Sequence, residues 1–169
     1  MVMRASYGFL SWLKNKTGMD NPCISIGHDS RLSADRIKNA VIKALTSNGA
    51  KIIDCSLAST PAMFMTTVEL GCDGAVQITA SHHPFDRNGL KFFVKEGGLD
   101  SKDISEIVSL ADQGKKCASE KIGNKIEENY MQTYAARLRK MICDGAQKGD
   151  KPLENYHIIV DAGNGAGGF

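Results

Sequence analysis

The sequence has 169 residues, 42% of them hydrophobic and 24% charged, and a formal net charge of +2. So small a charge, without a run of like charges, excludes a nucleic-acid partner held by a basic patch, and no apolar run is long enough to span a bilayer. Five cysteines without C-x-x-C spacing exclude a disulfide framework and a zinc knuckle and fit a reducing compartment, so we expect a cytoplasmic protein, with an organelle stroma left open.

Helical and strand patterns alternate through the first half of the chain. Residues 1–16 carry Phe9, Trp12 and Leu13 at helical spacing, which predicts a helix of the fold rather than a transit peptide. The elements that follow are a strand at 22–26, a helix from an N-cap at Ser33 to Asn48, a strand at 51–54, and a helix at 62–70 that Thr60 caps and Pro61 opens. Such alternation with short connections is typical of an α/β layer fold.

The second half adds a pair of strands and two helices. The pair lies at 73–79 and 90–95, where Leu90 and Phe92 alternate with Lys91 as in a strand with two unlike faces. Next come a helix at 103–110, a connector at 113–125, a helix at 127–143, a linker at 144–151 and a strand at 156–160. We expect an α/β domain over residues 1–145, with a mixed, mainly parallel sheet between helices and the strand at 90–95 antiparallel. Residues 146–169 are predicted to be a linker and the start of a second, similar domain.

A glycine-rich turn follows the last predicted strand. Gly163, Gly165 and Gly168 satisfy G-x-G-x-x-G, the pattern of dinucleotide-binding turns. The pattern is weak by itself, because the helix and the ribose-binding acid about 20 residues downstream would lie past Phe169. The residues alone therefore leave a nucleotide site open as a candidate.

The loop between the strands at 73–79 and 90–95 concentrates reactive side chains. It brings together a serine, two histidines and an arginine, with a lysine just beyond: Ser81, His82, His83, Arg87 and Lys91. A serine hydroxyl is able to carry a phosphoryl group, and the dianion needs cationic partners and N–H donors. Neighbouring Ser and His side chains in extended backbone point apart, and two histidines alone are a poor zinc signature. The loop therefore predicts a phosphate site.

The same loop resembles the active-serine loop of the α-D-phosphohexomutases, the family of phosphoglucomutase and phosphomannomutase. T-A-S-H-H-P at 79–84 and N-G-L-K at 88–91 are similar to the family's T-A-S-H-N-P and N-G-x-K, with His83 where asparagine is usual. G-H-D-S-R at 27–31 is similar to the family's G-x-D-x-R, and V-D-A-G-N-G-A-G at 160–167 resembles the opening of its second domain. The resemblance favours this account of the glycine-rich turn over a nucleotide site.

The resemblance implies roles for particular residues. A phosphorylated Ser81 is expected to donate its phosphoryl group to a hexose 1- or 6-phosphate, through a hexose 1,6-bisphosphate that also serves as activator. One phosphoserine oxygen would bind Mg²⁺ together with an acidic loop that this chain lacks. The expected catalytic residues are Ser81, His82, which orients the phosphoryl group, and Lys91, which contacts phosphate or sugar and assists proton transfer; the expected substrate or phosphate ligands are Arg31, Arg87 and Asn88. From the residues themselves, we expect Asp29 and Arg31 either to pair across their turn or to reach the loop that carries Ser81, with Arg31 as structural support rather than as a catalyst.

The resemblance also indicates segments that the chain lacks. The family's first strand, with its T-S-G-x-R-G segment, is absent before Met1, and its D-x-D-x-D metal loop, sugar-recognition loop and C-terminal phosphate-binding domain would lie past Phe169. We therefore expect a fragment that is inactive without the remaining domains of the enzyme. The alternative, suggested by His83 and the missing segments, is a non-catalytic phosphosugar-binding or regulatory relative.

Overall fold

The computed structural model describes residues 1–114 and 121–163. Over these residues the chain forms five helices and six strands. The helices are α1 Val2–Thr17, α2 Ala34–Thr46, α3 Thr60–Glu69, α4 Ser101–Asp112 and α5 Tyr130–Ala146, and the strands are β1 Cys23–His28, β2 Lys51–Leu57, β3 Gly74–Ile78, β4 Leu90–Val94, β5 Gly97–Gly98 and β6 Lys125–Glu127. Within this part of the chain, no helix combines the length and the apolar character that a membrane crossing requires.

The strands form one mixed sheet in the order β5-β4-β3-β1-β2-β6. β1 runs parallel to β2 and β3, and β6 runs parallel to β2. β4 is antiparallel to β3, and β5 is antiparallel to β4. The predicted fold class, a mainly parallel sheet with an antiparallel strand after the serine loop, is therefore confirmed.

Helices cover both faces of the sheet. On one face α1 contacts α2 and α4, and Phe9 of α1 stacks on Phe92 of β4 with ring centroids 4.4 Å apart. The full burial of Phe9, Leu10 and Leu13 confirms that the first helix belongs to the core. On the other face Met63 of α3 and Tyr130 of α5 are fully buried in a second apolar cluster. The sheet is thus shielded from water on both sides, as a mainly parallel sheet requires.

The second cluster is closed by polar contacts between α5 and α3. The hydroxyl of Tyr130 donates to the carboxylate of Glu69, and Arg137 pairs with the same carboxylate. Burial and the hydrogen bond to Glu69 raise the pKa of Tyr130, which favours the protonated, donating form of the phenol. The amphipathic pattern at 127–143 correctly predicted a helix here, although the helix begins at Tyr130.

Two sequence predictions at element ends are wrong. The N-cap of α3 is Ser59 rather than Thr60: Ser59 has extended backbone and its hydroxyl accepts the N–H of Ala62, so Thr60 is already helical. The connector predicted at 113–125 ends in β6, which pairs with β2. All three β6 residues are exposed, so this edge strand carries no apolar alternation that the sequence could reveal.

Residues 156–160 form no strand among the described residues, although the sequence predicts one there. Their side chains are exposed and they lie outside the six-stranded sheet, and a strand needs a hydrogen-bonding neighbour. Gly163 has a left-handed backbone with φ of 56°, whereas Gly165 and Gly168 lie outside the described residues. The division into a domain at 1–145 and the start of another at 146–169 stays a prediction.

A close helix crossing at Gly8 provides a test of the core. A Cβ at Gly8 would lie 2.4 Å from the carbonyl oxygen of Ile107 and 2.9 Å from the Cβ of Ala111. We expect Gly8→Ala to lower the free energy of unfolding by about 1–3 kcal/mol, because α1 and α4 would have to separate. Gly145→Ala, in α5 with no atom within 4 Å of the added Cβ, is the matched control and should be neutral or slightly stabilising. Equal urea midpoints for the two variants would contradict the close crossing.

Candidate active site at the carboxyl edge of the sheet

The parallel strands β1, β2 and β3 end at the same edge of the sheet. The segments that leave this edge are Asp29–Ser33 after β1, Ala58–Ser59 after β2, and residues 79–89 after β3, which we call the serine loop. The edge is tied together by backbone bonds: the N–H of Asp29 donates to the carbonyl of Ile78, and the N–H of Ala58 donates to the carbonyl of His28. In open α/β sheets, ligands bind outside the carboxyl ends of the strands, so this edge is the expected place for a site.

Ser81 lies exposed at the start of the serine loop in an uncommon backbone conformation. Its φ is +54°, in the left-handed region that non-glycine residues seldom adopt. The N–H of Ser81 donates to Oγ1 of Thr79 over 2.9 Å, which helps to hold this conformation. The Oγ of Ser81 lies 3.3 Å from Nδ1 of His82, at the long end of hydrogen bonding. The strained turn therefore presents the serine hydroxyl to solvent beside an imidazole.

The guanidinium of Arg31 binds the backbone of the serine loop. Nη1 donates to the carbonyls of Pro84 (2.5 Å) and Arg87 (3.0 Å), and Nη2 donates to those of Ser81 (2.8 Å) and His83 (2.9 Å). A planar guanidinium has five N–H donors in fixed directions, and four of them are used here on one loop. The side chain of one residue therefore sets the curvature of the whole segment.

Asp29 orients the guanidinium of Arg31. The carboxylate of Asp29 accepts the fifth donor, Nε, over 3.1 Å, and it also accepts the backbone N–H of Arg31. The Arg31 side chain is only 10% exposed and that of Asp29 27% exposed, so the pair is partly shielded from water. With all five donors engaged, Arg31 acts as structural support for the loop, and the predicted contact with phosphate would require one of these bonds to open.

The far end of the serine loop is held by Asn88 and Gly89. Oδ1 of Asn88 accepts the hydroxyl of Ser33 over 2.5 Å. Ser33 therefore occupies the predicted N-cap position of α2, but its side chain bonds across to the loop instead of capping the helix. The carbonyl of Gly89 accepts the N–H of Thr79 over 3.0 Å. A Cβ at Gly89 would lie 2.8 Å from the carbonyl oxygen of Thr79, so only glycine permits this closure.

The remaining predicted site residues present their side chains to solvent. The rings of His82 and His83 stack at 5.2 Å, and both residues are exposed, as is Arg87. Lys91 is exposed and lies opposite Gln77 in the β3–β4 register, whereas Phe92 packs in the core on the other face of the sheet. The interpretation that Lys91 points away from the core is therefore confirmed, while its contact with phosphate stays a prediction.

The structure thus brings most of the predicted site residues to one edge. Ser81, His82, Arg87 and Asn88 lie in one loop, and Arg31 contacts that loop from the segment that follows β1. Two contributors were not predicted, namely Thr79 as the acceptor for the Ser81 N–H and Ser33 as the partner of Asn88. Thr79 directly follows β3, and Ser33 lies in the segment after β1. Their position after strands that end at the same edge is the sequence signal that could have identified them.

A metal site would need further ligands. Within residues 1–114 and 121–163, no group of three or more His, Cys, Asp or Glu residues is arranged to hold a metal ion. Asp29, the carboxylate on the segment that follows β1, is committed to Arg31. The described residues therefore do not by themselves fit a magnesium site.

Comparison with known proteins identifies similar chains. Residues 1–118 match the family model described as phosphoglucomutase/phosphomannomutase, alpha/beta/alpha domain I. A phosphoglucomutase/phosphomannomutase of Thermococcus kodakarensis is 31% identical over 158 residues, which are 92% of this chain and 34% of that protein. A phosphoglucosamine mutase of Staphylococcus haemolyticus is 32% identical over 155 residues, 91% of this chain and 34% of that protein.

A solved structure shows the same fold. A phosphoglucomutase/phosphomannomutase family protein from Burkholderia thailandensis superposes with a TM-score of 0.71 at 18% identity, covering 82% of this chain and 31% of that one. The chain spans about a third of the length of the curated relatives that it matches.

Proposed function

The chain belongs to the phosphoglucomutase/phosphomannomutase family, and on that premise we propose that it is the active-serine domain of a hexose-phosphate mutase in carbohydrate metabolism. In the complete enzyme, phosphorylated Ser81 donates its phosphoryl group to a hexose monophosphate. The names of the relatives point to glucose, mannose or glucosamine phosphates as the substrate class.

The observation that carries the proposal is the geometry of Ser81. Its hydroxyl is exposed, its backbone is held at φ of +54°, and its loop is fixed to β1 through Arg31. The N–H of His83 donates to the carbonyl of Ala80, so Ser81 is the second residue of a turn and its positive φ belongs to that turn. What suits a phosphoryl carrier is the exposed hydroxyl that this turn holds at a reproducible position.

The proposed transfer conserves one phosphoryl group. A hydroxyl oxygen of the hexose phosphate forms a bond to the phosphorus of phosphoserine 81 as the bond from phosphorus to Oγ breaks, and Oγ gains a proton. The resulting bisphosphate reorients in the site, and its other phosphoryl group is then transferred to Oγ. Phosphoryl transfer depends mainly on in-line positioning and neutralised charge. Arg31 and Asn88 position the loop, and His82, Arg87 and Lys91 are the nearby side chains proposed to face the phosphate.

Magnesium has a limited place in this proposal. A phosphoserine 81 oxygen is a hard ligand that suits Mg²⁺, and the ion would supply charge neutralisation at the transferred group. The other ligands are proposed to be carboxylates contributed by the remaining domains.

The proposal is tested by measuring the intact mass of the complete protein after incubation with glucose 1,6-bisphosphate. We expect a gain of about 80 Da, one phosphoryl group, located at Ser81 by peptide sequencing and absent in Ser81→Ala. If bisphosphate binds but no adduct forms, the chain is part of a phosphosugar-binding or regulatory relative instead.

A second expectation concerns the 169-residue chain alone. Because it spans about a third of its relatives, it should show no mutase turnover with glucose, mannose or glucosamine 1-phosphate in coupled assays with Mg²⁺. The complete protein, assayed in parallel, is the positive control. Robust turnover by the isolated chain would contradict the view that other domains supply essential groups.

A further inference from the structure

Two cysteines that are distant in sequence meet at the edge of the sheet opposite the serine loop. Cys23 begins β1, and Cys72 lies in the loop that enters β3. Their sulfur atoms are 3.9 Å apart, although 49 positions separate the residues. The neighbouring backbone is bound on both sides: the N–H of Cys23 donates to the carboxylate of Asp73 over 2.7 Å, and the N–H of Asp73 donates to the carbonyl of Cys23 over 2.8 Å. The two thiols are therefore held together by the pairing of β1 with β3.

The two thiols differ in exposure. Cys23 is half-buried and reachable from solvent, whereas Cys72 is 3% exposed. The hydrogen bond between the two sulfur atoms lowers the pKa of Cys23, and the same bond together with burial raises the pKa of Cys72. A thiolate that is both accessible and stabilised reacts first in disulfide exchange.

A third cysteine shows the contrast. Cys55 of β2 is 3% exposed, and burial raises its pKa to about 12. The nearest recorded partner of its sulfur is the carbonyl of Ile53 at 3.9 Å. Cys55 is therefore a structural core residue and serves as an internal reference for the pair.

We propose that Cys23 and Cys72 are a modification site that forms a reversible disulfide by exchange with a small-molecule disulfide of the glutathione type. The Cys23 thiolate attacks one sulfur of the oxidant, forming a mixed disulfide and releasing one thiol. The Cys72 thiol then loses its proton and attacks Sγ of Cys23, releasing the second thiol. The protein is oxidised by two electrons, and one small disulfide is reduced to two thiols.

The geometry permits this closure at small cost. The sulfur atoms must approach by about 2 Å to reach the bond length of a disulfide. Cys72 is in a loop rather than a strand, and it follows the exposed Gly71, whose φ is +63°. We therefore expect the loop before β3 to take up this movement. The new bond would tie the starts of β1 and β3, the two strands whose other ends carry Arg31 and Ser81.

The experiment incubates the folded chain in glutathione buffers of increasing oxidised fraction, quenches with acid, alkylates the remaining thiols after denaturation and maps the peptides. We expect a loss of about 2 Da and a peptide that links Cys23 to Cys72, fully reversed by dithiothreitol. In Cys72→Ser, oxidation should stop at a glutathione adduct of about 305 Da on Cys23. In Cys23→Ser, Cys72 should stay reduced, and Cys55→Ser should leave the linked peptide unchanged.

The decisive measurement, detection of the peptide that links Cys23 to Cys72, is made on the unsubstituted chain, so it does not depend on the folding of any variant. A stable glutathione adduct on Cys23 without the linked peptide, or both thiols remaining alkylatable in oxidised buffer, would overturn the proposal. The result is independent of the proposed mutase activity, because no step uses Ser81 or a sugar phosphate.

Discussion

Replacing Arg31 by alanine is expected to release the serine loop and to destabilise the domain. The substitution removes the five hydrogen bonds that join Arg31 to Asp29 and to four loop carbonyls, and it leaves the partly shielded Asp29 carboxylate without its cation. Loss of such a network should lower the free energy of unfolding by about 2–4 kcal/mol. Chymotryptic cleavage after the exposed Phe85 should accelerate on the order of 10²-fold, because the loop opens more often.

Arg87→Ala is the matched control for this prediction. Arg87 lies in the same loop and carries the same charge, but its contact with Arg31 is made through its backbone carbonyl, which alanine retains. Arg31→Lys should behave more like Arg31→Ala, since an ammonium lacks the planar set of five donors. If Arg31→Ala and Arg87→Ala gave equal urea midpoints and equal cleavage rates, the assigned role of Arg31 would be wrong.

Removal of the Ser81 hydroxyl is expected to have the largest effect on activity. In the complete protein, Ser81→Ala should reduce turnover on the order of 10⁴-fold or more, because it removes the hydroxyl that is proposed to carry the phosphoryl group. Measured turnover with hexose 1-phosphate and added bisphosphate checks this expectation. Retention of more than a tenth of the activity would show that another group carries the phosphate.

Ser81→Gly separates the chemistry from the backbone. Glycine also lacks the hydroxyl and should be as inactive as alanine, but it accepts the φ of +54° without a steric cost. We therefore expect the glycine variant to be more stable than the alanine variant by about 1 kcal/mol. Equal stability in urea unfolding would mean that Ser81 is not held in a strained conformation.

Much of the fold followed from local patterns. The structure contains the helices α1 and α2 and the strands β1 and β3 that the spacing of apolar residues predicted. This spacing is informative because the buried face of an element must be apolar. β6 was not predicted because its three residues are exposed. The cap of α3 was assigned to Thr60 instead of Ser59 because two successive hydroxyl residues precede Pro61. These errors concern places where the local signal is weak or duplicated.

The sequence also predicted which residues lie together in the serine loop. Ser81, His82 and Asn88 are close in sequence, and a loop that joins two strands must keep them close in space. The structural role of Arg31, through pairing with Asp29 or contact with the serine loop, was predicted, but the four loop carbonyls that it binds were not. Those carbonyls lie 50 to 56 positions away, so the contact exists only because β1 and β3 are neighbours.

The sequence by itself determined the order of elements from α1 to β4, the α/β class and the residue content of the serine loop, since each depends on residues within a few positions of one another. Only the tertiary structure decided that Ser81 adopts a left-handed backbone, that one guanidinium holds its loop, and that Cys23 meets Cys72. The physical reason is that these features depend on the register of β1 beside β3, and strand register is a property of long-range packing rather than of local spacing.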